Sequence, residues 1–309
     1  MAAPSPSVHI PATRLGAFGD RTILRDPRAR TRTPSLRMGK DEWEVAGPFE
    51  IRRHLVVPRD RGVRFAEATG DPNPIHREGD VVPGAFLAAQ TVGTLEALFP
   101  TLCLESLRVT FTGIAWYDRS VRLAVRCTPS IAPGGAPGLT CLATAWQDER
   151  EVSTACVEAR FEPVVRRHEM PLSKVDTRWL GRVLECFHAL GIDPKAWLEK
   201  DGLPDLSYPL AFLASLPSGS MVQRFQGEGG VLNRLTFEFN RAKLPLAGPP
   251  EVSVELPSRL RQSFTKILTF VKEGLDTAIR GSALVLPRPP ADLLRRHQAG
   301  GPGMVGQPG

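Results

Sequence analysis

The chain has 309 residues, 42% of them hydrophobic and 23% charged, the balance of a water-soluble globular protein with room for two domains. No apolar run reaches the ~18 to 20 residues of a membrane-spanning helix, so the chain is read as soluble. The net charge of +6 suggests a nucleic-acid partner, but eight of the 39 basic and two of the 33 acidic residues lie in the first 40, leaving 31 of each in the body. A sustained basic excess on the folded part is therefore missing, and no nucleic-acid partner is expected.

Residues 1–45 form a basic extension rich in Pro, Ser and Arg, without sustained apolar periodicity, and are expected to be disordered. The extension shares its Arg content and scarcity of acids with mitochondrial transit peptides, yet Pro4, Pro6, Pro11, Pro27 and Pro34 interrupt any amphipathic helix. Met38 is an alternative start. Five cysteines (Cys103, Cys127, Cys141, Cys156 and Cys186) form no Cys-x-x-Cys pair and follow no secretory signal. They read as reduced core thiols of a cytoplasmic protein, mitochondrial if the extension is a transit peptide.

Ile51–Val57 has the pattern of a strand and Pro58–Thr69 that of a helix. A loop follows, and then Val81-Val82-Pro83-Gly84 opens an apolar segment to Phe99. Its Phe86, Leu87, Val92, Leu95 and Leu98 surround most of a helix, which places that helix inside a domain. Strand-like alternation begins with Leu107, Val109 and Phe111 and returns, after Asp118-Arg119-Ser120, in Val121, Leu123 and Val125. Residues 133–137 read as a loop. Leu142–Gln147 and Val152–Phe161 form a further strand pair about a charged turn. A helix followed by antiparallel strands makes an α+β domain over residues 46–166.

Residues 167–290 repeat this order. Arg178–Leu190 reads as a helix ending at Gly191 and Pro209–Leu216 as a short apolar helix. Leu235–Phe239 matches Leu107–Phe111, Val252–Leu256 matches Val121–Val125, and Ile267–Leu286 matches Leu142–Phe161. Two such units imply an internal duplication, followed by a flexible tail at 291–309. Where the first unit has Gly70-Asp71-Pro72-Asn73-Pro74-Ile75-His76, the second has Gly191-Ile192-Asp193-Pro194-Lys195-Ala196-Trp197, without the amide or the imidazole.

The stretch Phe65–His76 carries the chemistry. Gly70 is placed to cap the preceding helix in a left-handed conformation. Pro72 and Pro74 then hold Asp71 and Asn73 on a stiff, non-helical loop. These residues admit two readings: an Asx turn in which Asp71 caps the loop, or a water site in which a carboxylate and the His76 imidazole act as acid and base.

The string Phe65, Thr69, Gly70, Asp71, Asn73, Pro74, Ile75, His76 resembles the signature of the MaoC-like hydratases of the hotdog-fold superfamily. The resemblance implies two tandem hotdog folds, each an antiparallel sheet wrapped round a central helix, forming a pseudo-dimer in one chain. It implies that Asp71 and His76 activate water, that Asn73 holds their geometry, and that the Gly84 N–H receives the thioester carbonyl. The implied activity is (R)-specific hydration or dehydration of an acyl chain on coenzyme A or acyl carrier protein. The substrate brings the coenzyme A or phosphopantetheine; no cofactor or metal is implied. A non-catalytic acyl-thioester or carrier-protein binder and a hotdog thioesterase are the alternatives. The chain is expected to be a monomeric pseudo-dimer or a homodimer. Two features depart from the family: only eight positions separate His76 from Gly84, and the residue before Gly84 is a proline.

Other strings are weaker. Gly227–Gly230 reads as a turn, and Ser218-Gly219-Ser220 lacks the frame of a nucleophile elbow. Arg52, Arg53, Arg108, Arg241 and Lys243 are candidates for the carrier's phosphates or for solvated surface charge.

Overall fold

A computed structural model describes residues 47–99, 102–131, 136–161, 177–193, 209–224, 230–240, 249–257 and 264–287, together with the backbone of six short strands elsewhere. In chain order the elements are β1 (Val8–Pro11), β2 (Arg21–Arg25), β3 (Leu36–Met38), β4 (Glu42–Val45), β5 (Phe49–Val56), α1 (Arg59–Thr69), α2 (Pro74–Arg77) and α3 (Gly84–Leu98). Four strands follow, β6 (Leu102–Phe111), β7 (Ser120–Ile131), β8 (Pro137–Gln147) and β9 (Arg150–Phe161). The second unit has α4 (Thr177–Leu190), β10 (Glu199–Lys200), β11 (Leu203–Pro204), α5 (Leu210–Arg224), β12 (Val231–Phe239), β13 (Glu251–Glu255), β14 (Thr265–Glu273) and β15 (Asp276–Leu286).

One ten-stranded antiparallel sheet runs β13-β14-β15-β12-β6-β9-β8-β7-β5-β2. Its middle shows the duplication directly. Reading outward from the β6/β12 seam, one side is β6-β9-β8-β7 and the other β12-β15-β14-β13, the same order in each half. The register across the seam is symmetric as well: Leu107 faces Phe237 and Leu235 faces Val109. Counterparts thus exchange places about a pseudo-twofold axis, as in an isologous contact between subunits.

The helices follow the same symmetry. α3 buries all its residues except Gly84 and Glu96, as its all-round apolar pattern requires. α5 lies beside it, and the Glu96 carboxylate accepts from the backbone N–H groups of Leu210 (2.7 Å) and Ala211 (2.9 Å), an anion at a helix N-terminus. Arg61 on α1 donates to the Ala189 carbonyl of α4, and Arg182 on α4 donates at 2.7 Å to the Ala68 carbonyl of α1. The pair is reciprocal.

Three features differ from the reading of the sequence. α5 does not stop at Leu216 but continues through Pro217 to Arg224. A proline normally ends a helix because it removes one N–H; here the surrounding residues Leu213–Gly219 are all buried, and their packing keeps the chain helical. Arg53 is not a surface cation. Its guanidinium is buried and donates to Gln90 Oε1 (2.7 Å) and Thr94 Oγ1 (3.0 Å) of α3. Within residues 1–45, four short strands are described where disorder was expected, and β2 pairs along the outer edge of β5. An unpaired edge leaves a row of backbone groups that any extended segment can satisfy, whatever its side-chain periodicity. The loop at 133–137 lies largely outside the described residues, and residues 194–197, Arg241, Lys243 and the tail at 291–309 lie wholly outside them. Among the described residues no helix is long and apolar enough to cross a membrane.

Candidate active site

The site is assembled where α1 ends. Gly70 adopts φ 75°, and the N–H groups of Gly70 and Asp71 return to the carbonyls of Glu67 (3.1 Å) and Ala66 (2.7 Å), the left-handed cap anticipated from the glycine. The prolines then do what the sequence implied. Asn73 becomes the N-cap of the short α2, its Oδ1 accepting from the Ile75 N–H at 3.2 Å, with Pro74 as the first helical residue.

Asp71, Asn73 and His76 are all buried. Asp71 makes the Asx turn, accepting the Asn73 N–H on Oδ1 at 3.0 Å, while its Oδ2 accepts the Ser218 hydroxyl at 3.0 Å. His76 Nδ1 lies 2.8 Å from the Val81 carbonyl oxygen. A carbonyl can only accept, so Nδ1 carries the proton and Nε2 keeps its lone pair. Nε2 approaches the Asn73 amide nitrogen at 3.5 Å, and that nitrogen also donates to the Gly230 carbonyl at 2.9 Å. The Tyr117 hydroxyl donates to the His76 carbonyl at 3.0 Å and secures the loop from below. Burial pulls the His76 pKa below its usual value, and the negative charge of Asp71 opposes that fall. The imidazole is neutral at rest, yet its protonated form has a nearby counter-charge.

A cavity of about 50 Å³, room for a few waters, opens beside the ring. Asn73, His76, Gly84, Ser218 and Gly230 contribute its polar lining, and Leu87, Phe111, Ile114, Met221, Val222 and Leu232 much of its apolar wall. Gly84 is the first residue of α3, where N–H groups have no intrahelical acceptor. A side chain here would meet the Phe111 ring at 3.1 Å. The four residues singled out in the sequence therefore converge with one exception. His76, Asn73 and Gly84 line the cavity, whereas Asp71 does not, and no direct hydrogen bond or ion pair between Asp71 and His76 occurs among the described residues.

The second half completes the site. Ser218 and Gly230, set aside above as weak strings, bond to Asp71 and Asn73. Gly219 permits this, because a Cβ at that position would stand 2.4 Å from the Gly70 carbonyl oxygen. No local signal marks these residues; only the packing of α5 and of the segment leading into β12 against the motif loop brings them in. Among the described residues no group of three or more His, Cys, Asp or Glu side chains is placed to hold a metal.

No family model matches the sequence, and no curated protein matches it. Solved structures do match in fold. A MaoC-like dehydratase superposes with a TM-score of 0.55 at 12% identity, over 79% of this chain and 98% of its own. A conserved hypothetical protein of Mycobacterium tuberculosis, described as having a double hotdog fold, gives 0.50 at 10% identity, over 75% and 93%. The fold is a double hotdog. A MaoC-like dehydratase from Phytophthora capsici superposes as well, with a TM-score of 0.53 at 10% identity over 76% of this chain and 95% of its own. The expected likeness to MaoC-like hotdog proteins thus holds at the level of the fold, and the pairing of β6 with β12 joins the two halves into one sheet.

Proposed function

We propose that the protein is an (R)-specific 3-hydroxyacyl-thioester dehydratase and trans-2-enoyl-thioester hydratase, acting on chains carried by coenzyme A or acyl carrier protein. The observation that carries this reading is the His76 ring: protonated at Nδ1, neutral, and with its basic Nε2 only loosely held by the Asn73 amide, at 3.5 Å, at a cavity wall. In hydration, Nε2 removes a proton from water as the oxygen adds to Cβ. The double-bond electrons move onto the thioester oxygen, which Gly84 N–H receives at the start of α3, where the helix dipole favours negative charge. The imidazolium then returns the proton to Cα on the same face. Asp71 stabilises that imidazolium across the interval, the role its opposing effect on the His76 pKa supports.

The engaged oxygens of Asp71 and its position off the cavity favour one second reading, an acyl-thioester binder without turnover. Loss of enoyl absorbance from crotonyl-CoA and from longer and branched enoyl-CoA thioesters separates the two. Turnover by the wild type that is lost in Asp71→Asn and His76→Ala supports the hydratase; binding without conversion in all three supports the binder.

A further inference from the structure

We propose that Ser218, supplied by the half of the chain that lacks the acid and imidazole, is the group through which the Asp71 carboxylate acts on the reacting water; this rests on the hydratase reading above. Ser218 lines the cavity and Asp71 does not, yet the two are joined by a 3.0 Å hydrogen bond between buried groups. A carboxylate only accepts, so the serine proton is committed to Asp71 Oδ2 and the serine oxygen is left as an acceptor.

A buried serine in a helix ordinarily turns its proton back onto its own backbone. Ser215, one turn earlier on α5, does so, donating to the Phe212 carbonyl at 2.6 Å. Ser218 instead reaches across to the other half of the chain, and the adjoining Gly219 is what lets α5 come close enough. The corresponding residue of α3, immediately before Gly93, is the apolar Val92. The hydroxyl is therefore confined to the half-site that holds the acid.

Two acceptors then face one water. His76 Nε2 takes one of its hydrogens, Ser218 Oγ accepts a hydrogen bond from the other, and a lone pair on the water oxygen is left for Cβ. In the step itself only the bond from oxygen to the first hydrogen breaks, that proton passing to Nε2. Ser218 retains its own proton and forms no covalent bond. It is a catalytic residue in the restricted sense that it touches the reacting water.

The test uses the full chain with Ser218→Ala, Ser218→Cys and Ser218→Thr, assayed for crotonyl-CoA hydration with melting temperatures measured alongside. Losing a hydrogen bond to an ionised partner should lower kcat about 10- to 100-fold in the Ala and Cys variants, with KM changed less than about twofold because the substrate itself is not held. Ser218→Thr keeps the hydroxyl and should recover most of the rate. The Cys variant retains the size of the side chain and covers the case in which Ser218→Ala does not fold. Wild-type turnover with Ser218→Cys at the wild-type kcat overturns this inference alone, and so does an equal loss in the Cys and Thr variants. A wild-type protein inert on every enoyl thioester overturns the hydratase reading and this inference with it.

Discussion

Helix α1 leaves into Asp71 and helix α4 into Ile192 through the same left-handed glycine, Gly70 at φ 75° and Gly191 at φ 64°. The returning hydrogen bonds match too: Gly191 N–H reaches His188 O at 3.1 Å and Ile192 N–H reaches Phe187 O at 3.0 Å. Each corner is closed by the tenth residue of the opposite unit's central helix, Gly219 against Gly70 and Asp71, Gly93 against Ile192. The chemistry has diverged completely on this common frame. Ile192 stands for Asp71, Val92 for Ser218, and Leu210 for Gly84 at the head of the helix. One corner keeps polar groups beside the cavity, and the other has become core. The second unit gives the first α5, Ser218 and the Gly230 carbonyl.

Breaking the polar corner should have the largest effect. His76→Ala and Asp71→Asn are each expected to lower crotonyl-CoA hydration about 10²- to 10⁴-fold, the scale of a general acid–base group, read as kcat/KM. The same residue gives a pH signature. Because burial lowers the folded-state pKa of His76, the unfolded chain takes up its proton first. Stability is then complete above the ordinary imidazole value of about 6.5 and falls as the pH drops from there toward the folded-state value. Denaturant melts from pH 8 to 5 should show that loss in the wild type and a smaller one in His76→Gln.

Rebuilding the acid in the apolar corner tests the reverse. Ile192→Asp buries a carboxylate with no serine or turn N–H arranged for it, and should cost about 3 kcal/mol or more of stability. It should add no activity, since the rest of the half-site is apolar; a gain in turnover would contradict the division drawn here.

The two close-approach glycines should behave differently. In Gly219→Ala the new methyl meets backbone, the Gly70 carbonyl at 2.4 Å, so about 1–3 kcal/mol is expected to be lost, with kcat falling as the motif loop moves. In Gly93→Ala it meets the end of the Ile192 side chain, also at 2.4 Å, which can rotate away. That variant should stay within about 1 kcal/mol of wild type, helped by the better helix propensity of alanine. Equal losses in thermal denaturation and activity would erase the distinction. Arg61→Ala and Arg182→Ala should cost about 1 kcal/mol each for the lost interhelix hydrogen bond, with Arg61 also releasing the Val56 carbonyl and Arg182 the Trp179 ring. Only the Arg182 change, whose partner Ala68 adjoins the motif loop, is expected to alter kcat.

Much of this was legible in the sequence. Asp71, Asn73 and His76 lie within a few residues of one another, and Gly70, Pro72 and Pro74 fix the backbone between them by local sterics alone. The central helix announced itself by being apolar on every side, and the duplication by strand strings that recur in the same order in each half. What stayed hidden shares one property: it depends on contacts between residues far apart in the chain. Pro217 signalled a helix end because no local rule knows that α5 is packed on both sides. Arg53 looked like surface charge because its partners lie on α3.

The sequence by itself therefore determined the two-unit plan, the corner at Gly70 and the residues able to do acid–base work, since each follows from short-range backbone and periodicity constraints. Only the tertiary structure decided that Asp71 sits off the cavity, that the His76 ring carries its proton on Nδ1, and that Ser218 and Gly230 belong to the same site. Ser218 and Gly230 reach the motif loop because α5 and the segment leading into β12 pack against it from the other half of the chain. The His76 proton is set where the loop turns back to bring the Val81 carbonyl onto the ring, a bend that no short-range periodicity specifies.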